Sequence, residues 1–482
     1  MIDLRPVGYV IGLLVAVLGV AMLLPLVFDL MDGNEHWSVF AASAALTTAL
    51  GGGVALSCAN GVGSRLSIQQ TFLITTGVWL ALPVFGALPF VFGATEARYV
   101  DAFFEAMSGL TTTGSTVFSG LEDLPRGLLL WRGILQWLGG IGIIVVAMVF
   151  LPELRVGGMQ IFRTEAFDTF GKILPRAREI ASRISVIYLA LTAVCAFAYI
   201  MTGLQPFDAA VHAMTTIATG GFANYDASFA AFGPSTEYVA TVFMLLAALP
   251  FVRFVQLTAG TARPLLRDTQ IHVFFLTAFV IVALLALYRI WASDDVTEVA
   301  FRKALFNSVS LMTGTGYAST DYTAWGSFAV ALLFFTGLIG GCAGSTSCSI
   351  KIFRYQLLFS SVRAQLRKIR SPHSVFTPRF NGRPVGDDVL NSVMSFFVFF
   401  IVSLGALSVA LAMTGLDFTT SISGASAALA NIGPGLGDII GPAGNFAPLN
   451  DTAKWLLAIA MLVGRLEVMA VYAILTLQFW RA

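Results

Sequence analysis

Long apolar stretches recur along the whole chain and are separated by shorter polar connections. A helix needs about 20 mainly apolar residues to cross about 30 Å of hydrocarbon, and stretches of that length predict ten membrane spans. The first span runs past the length of a signal-peptide core without a small-residue cleavage site, so we expect it to remain in the protein. The predicted spans are Val7–Phe28, Val39–Ala59, Phe72–Phe92, Leu128–Leu151, Ile184–Met201, Tyr238–Val255, Val273–Trp291, Phe328–Ile350, Val393–Met413 and Trp455–Phe479.

Four further apolar stretches are too short to cross a membrane and are expected to form re-entrant helices. Each begins near an acidic residue, as helix N-termini commonly do, and ends at a glycine-containing turn. These short helices are predicted at Val100–Leu110, Phe207–Ile217, Val299–Leu311 and Phe418–Leu429.

A unit of span, short helix, loop and span therefore repeats four times. The sequence predicts an all-α polytopic membrane protein with four pseudo-repeated units around one centre and two additional N-terminal spans. The predicted boundaries are 1–62 for the N-terminal pair and 63–180, 181–268, 269–385 and 386–482 for the repeats. The first and third repeats include long basic loops.

The composition agrees with a membrane protein, since 57% of the 482 residues are hydrophobic and 11% are charged. A net charge of +1 makes a nucleic-acid partner improbable. Most of the 28 Lys and Arg residues fall in loops on the side of the N-terminus. The positive-inside rule then places both termini in the cytoplasm. The opposite loops are rich in Asp and Glu and would concentrate cations there.

The loops that follow the four short helices share a pattern. They read Thr111-Thr112-Thr113-Gly114, Ile217-Ala218-Thr219-Gly220, Thr313-Gly314-Thr315-Gly316 and Ala430-Asn431-Ile432-Gly433, with a glycine at one register. Irregular backbone at this depth must be buried in protein or line water, because unpaired peptide groups are costly in lipid. Four such loops on one axis would supply rings of carbonyl oxygens, the construction of potassium filters. The alternative is that small residues only allow close helix packing.

The loops contain no Asp or Glu, which argues against a divalent-selective carboxylate ring and favours a monovalent cation. A polytopic membrane enzyme is a different possibility, but the four His residues are scattered and no HExxH or GxSxG sequence occurs. We therefore expect no enzymatic activity. A purely structural scaffold would leave the four matched loops unexplained.

The loops TTTG, ATGGF, TGTGY and NIGPG, together with Gly340–Thr346 and Val463–Glu467, resemble the TrkH/KtrB-type potassium uptake subunits of bacteria. The two extra N-terminal spans favour the TrkH branch. The resemblance implies K⁺ uptake across the inner membrane through a carbonyl-lined filter gated by an intramembrane loop, with no organic cofactor. It also implies a homodimer and a cytosolic nucleotide-binding regulatory subunit of TrkA type. Passive flow and Na⁺- or H⁺-coupled symport both remain open.

On this resemblance we assign ion contacts to eight loop carbonyls and the shaping of the turns to four glycines. The predicted carbonyls are those of Thr112, Thr113, Ala218, Thr219, Gly314, Thr315, Asn431 and Ile432, and the glycines are Gly114, Gly220, Gly316 and Gly433.

The second span of the third repeat is interrupted by glycine and serine, which do not sustain a helix at this density. The resemblance makes Gly340–Ser349 a gate loop, with Gly340, Gly341, Gly344, Ser345 and Thr346 as its predicted gate residues. The alternative is a glycine-rich packing surface. Cys348 departs from the family's more glycine-rich pattern and is expected to stiffen the loop.

Arg465 is a basic residue inside a predicted span, and a charge at that depth usually marks function. The family places an arginine facing the pore here; the alternative is a cap on buried carbonyls of the gate loop, and both roles can hold together. Glu467, two positions on, is not expected to pair with Arg465. His212 is expected to orient or pack its helix. The basic stretches Arg163–Arg183 and Arg363–Arg383 are either positive-inside anchors or docking sites for the regulator.

Overall fold

A computed structural model describes residues 2–61, 66–149, 157–159, 173–292, 297–371, 373 and 377–481. Within these ranges the chain is mostly helical, with one short hairpin that pairs Arg379–Phe380 with Arg383–Pro384. The helices are Arg5–Ala21, Leu23–Met31, Trp37–Cys58, Ile68–Gly86, Leu88–Phe92, Tyr99–Leu110, Arg126–Val149, Ile173–Met201, Pro206–Ile217, Pro234–Ala247, Phe251–Thr258, Arg263–Arg267, Thr269–Ala292, Thr297–Thr313, Ser327–Gly337, Ile352–Arg370, Asp387–Met413, Phe418–Ala430, Gly437–Ile440, Asp451–Arg465, Met469–Ile474 and Leu477–Arg481.

The four short helices are confirmed, and each is followed by an irregular loop. They run over Tyr99–Leu110, Pro206–Ile217, Thr297–Thr313 and Phe418–Ala430, and are called short helices 1 to 4 below. The first three carry Asp101, Asp208 and Glu298 in their first turns. Short helix 4 is capped by Asp417, whose carboxylate accepts a hydrogen bond from Thr420 N at 3.1 Å. In short helix 4 the acid binds a free N–H group of the first turn. In the other three the acid lies in the first turn, where its charge favours the positive end of the helix dipole.

The ten predicted spans are not ten unbroken helices. In the described residues, seven helical segments are long and apolar enough to cross a membrane. The second spans of repeats 2, 3 and 4 are each interrupted. The prediction of continuous spans at Tyr238–Val255 and Trp455–Phe479 is therefore wrong, whereas the interruption of Phe328–Ile350 agrees with its glycine and serine content.

The interruption in repeat 2 has a local cause, whereas the interruption in repeat 4 contains a residue that binds distant parts of the chain. In repeat 2 the helix ends at Ala247 and resumes at Phe251 after a bend of 88°, because Pro250 cannot continue the hydrogen-bond ladder. In repeat 4 the helix ends at Arg465 and resumes at Met469. Glu467 lies in this break with a left-handed backbone (φ +60°). Leu151, the predicted end of the span in repeat 1, lies outside the described residues.

The N-terminal pair of spans packs on the first repeat rather than within the fourfold arrangement. Its two helices approach closely at glycines: a Cβ atom added at Gly12 would lie 2.6 Å from Ala55 N. Asp29 at the end of the first span accepts a hydrogen bond from Gly127 N at 2.7 Å and contacts His36 Nδ1 at 2.9 Å. This buried carboxylate attaches the pair to the second span of repeat 1.

The described part of the basic stretch Arg363–Arg383 includes the end of helix Ile352–Arg370 and the hairpin at Arg379–Pro384. Residues 163–172 of the other basic stretch, Arg163–Arg183, lie outside the described residues, and residues 173–183 belong to the helix Ile173–Met201.

Candidate ion pathway

The loops after the four short helices form a closed ring. A Cβ atom added at Gly114 would lie 2.1 Å from Gly220 O, and one at Gly221 would lie 1.9 Å from Thr315 O. In the same way, Gly316 abuts Gly433 N at 2.7 Å, and Gly433 abuts Gly114 O at 3.1 Å. Each loop thus touches the loop of the next repeat, and the fourth closes on the first. At Gly114, Gly221 and Gly316 only glycine leaves room for these backbone contacts, and at Gly433 a side chain would be tight.

The loop backbones share a sequence of dihedral angles. In the first three repeats a left-handed residue is followed two positions later by a left-handed glycine. The fourth repeat has the left-handed residue but not the left-handed glycine. The left-handed residues are Thr112 and Gly114, Thr219 and Gly221, Gly314 and Gly316, and Asn431. Alternation between left-handed and extended or right-handed dihedrals turns successive carbonyls toward one side of the chain.

The backbone at Thr112 and Thr219 is strained, because a β-branched residue rarely adopts a positive φ. Such a conformation costs about 1–3 kcal/mol and persists only where the surroundings impose it, typically at functional sites. The equivalent positions in repeats 3 and 4 hold Gly314 and Asn431, the residue types that tolerate this conformation. The ring therefore imposes one conformation on four residues of three different types.

The register predicted for the second loop is off by one residue. Thr112 N donates to Gly109 O and Thr113 N to Ser108 O, and the corresponding donors in the second loop are Thr219 and Gly220. Gly221, not Gly220, is therefore the counterpart of Gly114, Gly316 and Gly433. Ala218 takes the place of Thr111. The sequence alignment matched the Thr-Gly pairs of the first three loops and Ile432-Gly433 of the fourth. In the structure the left-handed glycine of the second loop lies one position later than that alignment predicts.

Buried side chains form hydrogen bonds that hold the ring in place. Gln136 Nε2 donates to Gly220 O at 2.6 Å, and Ser115 Oγ donates to Gly433 O at 2.7 Å. Asn431 Nδ2 donates to Thr113 Oγ1 at 3.0 Å and to Met461 O at 2.8 Å. These bonds tie the loops to one another and to the second spans, so that the ring is held from several directions.

The segment between Gly337 and Ile352 lies against the inner ends of all four repeats. Ser347 Oγ donates to Thr313 O at 2.7 Å, and Ser349 N donates to Ala430 O at 3.1 Å. Thr346 Oγ1 donates to Ala247 O at 3.1 Å in repeat 2. Cys348 Sγ lies 3.8 Å from Thr112 Oγ1 in repeat 1.

The predicted gate residues Gly340, Gly341, Gly344, Ser345 and Thr346 are all buried in this segment. Gly340 and Gly344 have left-handed backbones, with φ of +78° and +77°. A Cβ atom at Gly340 would lie 2.4 Å from Cys348 O. The segment is therefore a folded-back loop in contact with the base of the ring, and not a kinked helix.

Arg465 reaches this loop from the fourth repeat. Its guanidinium contacts Cys348 Sγ, donates to Thr346 O at 3.4 Å and donates to Gly139 O at 3.2 Å. The residue is buried, and its guanidinium carbon lies 5.6 Å from the centre of the Trp79 ring. The geometry brings together the predicted arginine and the predicted loop, and it includes the carbonyl contacts expected of a cap.

Glu467 does not pair with Arg465, as predicted. It accepts from Lys351 Nζ at 3.3 Å and from the Arg354 guanidinium. Both basic residues follow the loop directly, so this buried cluster fixes the loop's C-terminal end to the break in the last span.

Several buried charged residues near the ring escaped the sequence prediction. Arg132 Nε donates to Glu105 Oε1 at 2.8 Å, and both side chains are almost fully buried. Arg132 Nη1 also donates to Ala223 O at 2.7 Å in the second loop. The sequence did contain a signal for this pair: Glu105 is an acid within an apolar short helix, and Arg132 is an arginine within a span. An unpaired charge at this depth has a high free-energy cost, so the two could have been expected to pair.

On the side of the ring away from the loop, a cavity is lined by residues of all four repeats, including Gly114, Gly221, Gly316 and Gly433. Asp226 lies at its edge, where its carboxylate accepts from Gly120 N at 2.6 Å. Among the described residues there is no group of three or more His, Cys, Asp or Glu side chains placed to hold a metal ion. Carbonyl and hydroxyl oxygens are therefore the ligands that the ring itself offers to a cation.

Comparison with known proteins agrees with this architecture. A family model described as a cation transport protein, TrkH, matches residues 36–478. The Trk system potassium uptake protein TrkI of Halomonas elongata is 43% identical over 99% of this chain and 97% of its own length. The corresponding TrkH of Escherichia coli is 34% identical over 99% of both chains. The crystal structure of the potassium transporter TrkH from Vibrio parahaemolyticus superposes with a TM-score of 0.91, at 33% identity and full coverage of both chains.

Proposed function

Because this chain belongs to the TrkH family of cation transport proteins, we propose that it takes up K⁺ across a bacterial inner membrane through the ring of four loops. It is a multi-pass membrane transporter of the Trk potassium uptake system rather than an enzyme. The proposal adds the route of the ion, one pore per chain, and the means by which that pore closes.

The closed ring of loops with alternating left-handed backbone is the observation that carries the proposal. Carbonyl oxygens that point to one axis can replace the hydration shell of a dehydrated K⁺ ion. The corrected register makes the equivalent carbonyls those of the left-handed residue and the residue after it. The proposed ligands are Thr112, Thr113, Thr219, Gly220, Gly314, Thr315, Asn431 and Ile432, with Ala218 one position below them.

The four short helices favour a cation electrostatically without a charged side chain in the ring. Each helix ends at its loop, so its C-terminal carbonyls face the proposed ion site. A helix C-terminus carries the equivalent of about half a negative charge. Four such ends attract one monovalent ion, and the absence of carboxylates from the loop sequences avoids the tight binding that divalent ions would find.

We assign closure of the pathway to the buried loop Gly340–Ser349 and to Arg465. The loop lies across the base of the ring, and Ser347, Ser349 and Thr346 tie it to three repeats. A guanidinium beneath the ring also repels a cation that leaves it. Opening then requires these hydrogen bonds to break and Arg465 to move with the loop or away from it.

A gated passive pore suffices for accumulation. A membrane potential of 100 mV supplies about 2.3 kcal/mol per charge, which corresponds to roughly a 50-fold concentration ratio. Symport with Na⁺ or H⁺ is the alternative. The two differ in reversal potential: the current of a passive K⁺ pore reverses at the K⁺ equilibrium potential, and that of a symporter shifts with the second ion.

Control by a partner would act through the basic helix Ile352–Arg370, which begins one residue after Lys351 and so continues the gate loop. Its last three turns expose Arg363, Lys368 and Arg370. We place the docking of a nucleotide-binding TrkA-type subunit here, on the cytoplasmic side together with both termini, and we expect a homodimer of the chain. A bound subunit could then pull directly on the loop.

The test is growth of a potassium-uptake-deficient bacterium on limiting K⁺, together with Rb⁺ uptake, with the native chain and with Gly316→Ser. Gly316 has φ of +80°, and a Cβ there would lie 2.7 Å from Gly433 N. We expect growth with the native chain and loss of uptake with the variant. Gly52→Ala is the matched control, since the space around Gly52 is open. Undiminished rate and selectivity in Gly316→Ser would refute the filter assignment.

A further inference from the structure

We propose that one buried hydrogen bond in each repeat positions the filter loop. The bond joins the short helix to the extended part of the loop that follows the ring, called the outgoing strand below. We further propose that the side chains accepting these four bonds determine cation selectivity. The inference rests on the proposed function and extends it to residues outside the ring. The four accepting residues are Glu105, His212, Asn307 and Ser423.

The same backbone group is held in each repeat. The N–H of the residue five positions after the left-handed loop residue donates to a side chain in the middle of the preceding short helix. Val117 N donates to Glu105 Oε2 at 2.9 Å, Asn224 N to His212 Nε2 at 3.3 Å, Ser319 N to Asn307 Oδ1 at 3.2 Å and Leu436 N to Ser423 Oγ at 2.9 Å.

The accepting residues also occupy matching positions. Glu105, His212 and Asn307 each lie seven positions before the left-handed residue of their loop, and Ser423 lies eight positions before Asn431. All four are buried. The spacing holds for repeat 2 only in the corrected register, so the hydrogen bonds and the backbone dihedrals define the same equivalence independently.

In repeat 1 the bond is charge-assisted and linked to the neighbouring loop. Glu105 accepts from Val117 N and from the Thr116 hydroxyl at 2.9 Å, and Arg132 neutralises it. Arg132 in turn donates to Ala223 O, one residue before the held Asn224. A buried carboxylate with such partners forms strong, short bonds. The first and second outgoing strands are thereby fixed relative to each other.

In repeat 2 the bond requires one tautomer of a neutral imidazole. His212 Nδ1 lies 2.8 Å from Asp208 O, a group that can only accept, so Nδ1 carries the proton. Nε2 then presents a lone pair to Asn224 N. The His212 imidazole packs edge-on against Phe229 and Phe232, with 5.7 and 5.0 Å between ring centroids. His212 therefore orients the loop as well as packing its helix.

In repeat 3 the side-chain amide of Asn307 forms hydrogen bonds through both its oxygen and its nitrogen. Asn307 Oδ1 accepts from Ser319 N, while Nδ2 donates to Ser319 Oγ at 2.9 Å and to Lys303 O at 2.8 Å. In repeat 4 the Ser423 hydroxyl accepts from Leu436 N and donates to Thr419 O at 2.7 Å. Four chemical groups thus perform one task, and each is anchored to its own helix.

The bonds bear on selectivity because they set the distance between a rigid helix and the strand that leaves the ring. Discrimination between K⁺ and Na⁺ depends on the size of the carbonyl cage or on the number and field of its dipoles, and both change if an outgoing strand shifts. Loss of one bond leaves a buried N–H without a partner. We expect the strand to move toward water and the cage to lose its fixed dimensions before the protein loses its fold.

The test is ion flux in proteoliposomes, with K⁺ and Na⁺ measured for the native chain, Asn307→Leu, His212→Leu and His212→Gln. We expect both leucine variants to retain K⁺ flux but to raise the Na⁺ to K⁺ permeability ratio by about tenfold, as suits the loss of one buried hydrogen bond. His212→Gln keeps an acceptor near the Nε2 position and should restore most of the selectivity. Ser308→Ala is the matched control, because the Ser308 hydroxyl is buried next to Asn307 and has no hydrogen-bond partner among the described residues.

Native selectivity in folded Asn307→Leu and His212→Leu would overturn the inference and leave the proposed function standing. A native chain without K⁺-selective flux would overturn both. If the leucine variants fail to fold, Ser423→Ala removes only one hydroxyl from the same arrangement. An unchanged permeability ratio in that variant would equally overturn the inference, and a raised ratio would support it.

Discussion

The substitution Gly221→Ala tests the corrected register of the ring. Gly221 has φ of +78°, and a Cβ atom there would lie 1.9 Å from Thr315 O and 3.0 Å from Thr315 C. The sequence comparison assigned the filter position to Gly220, whereas the structure gives the left-handed backbone and the contact with the next loop to Gly221. The two assignments predict different sensitivities to the same small change.

The cost of Gly221→Ala has two parts. A left-handed conformation costs an L-residue about 1–2 kcal/mol. In addition, Cβ atoms do not approach other heavy atoms closer than 3.0 Å, so Thr315 O must retreat by about 1 Å from its present 1.9 Å. That oxygen is one of the proposed K⁺ ligands. Since 1.4 kcal/mol is tenfold in an equilibrium constant, we expect K⁺ uptake to fall by more than about tenfold.

The assay is Rb⁺ uptake per molecule of folded protein, with K⁺ and Na⁺ competition, for Gly221→Ala and two comparison variants. Gly203→Ala carries the same type of strain, with φ of +96°, but has no atom within 4 Å of the added carbon. In Gly220→Ala the three atoms nearest the added carbon belong to the Gln136 side chain, the closest at 2.3 Å. We expect native uptake for Gly203→Ala and an intermediate loss for Gly220→Ala. Native uptake in Gly221→Ala, or a greater loss in Gly220→Ala, would refute the register.

Three further predictions concern the gate and the buried charges. Arg465→Ala should raise resting K⁺ flux, because it removes the contacts with Thr346, Cys348 and Gly139; unchanged flux in a folded variant would contradict its role in closure. In a chain with Cys58, Cys195 and Cys342 replaced, the buried Cys348 thiol should react slowly with a charged thiol reagent, and faster in the Arg465→Ala background; equal rates would show that the loop is not released. Arg132→Met should destabilise the protein by about 3–5 kcal/mol, since Glu105 would remain buried without its partner. Thermal unfolding in detergent measures that loss, and Arg132→Met with Glu105→Leu should recover part of it; an equal loss in the double variant would contradict the pairing.

The features that the sequence could predict are those with local causes. The four short helices followed from length, an acid at the start and a glycine at the end, and each of these acts within a few residues. The break in the third repeat followed from glycine and serine content. Pro250 was an equally local signal for the bend in the second repeat. A span predicted from its apolar length does not register a single proline within the apolar stretch.

The features that could not be predicted depend on contacts between distant parts of the chain. At the break in the last span, the Glu467 carboxylate binds Lys351 and Arg354, which lie more than a hundred positions away in sequence. The register of the second loop was ambiguous in the sequence, because Thr219-Gly220 and Gly220-Gly221 both fit a turn. The hydrogen bonds at the helix end, the left-handed backbone of Gly221 and its contact with Thr315 decide between them.

The fourfold feature of this protein is a property of the backbone, and this explains how its loops can differ so much in sequence. The left-handed position holds threonine twice, glycine once and asparagine once. The hydrogen bonds proposed to position the loops are accepted by a carboxylate, an imidazole, an amide and a hydroxyl. A tetramer of identical subunits would have to change all four loops together. Because here the repeats are joined in one chain, each quadrant can meet the same backbone requirement with its own side chains. One quadrant, the third, can therefore carry the proposed gate loop Gly340–Ser349 while the ring keeps the same backbone conformation in the other three.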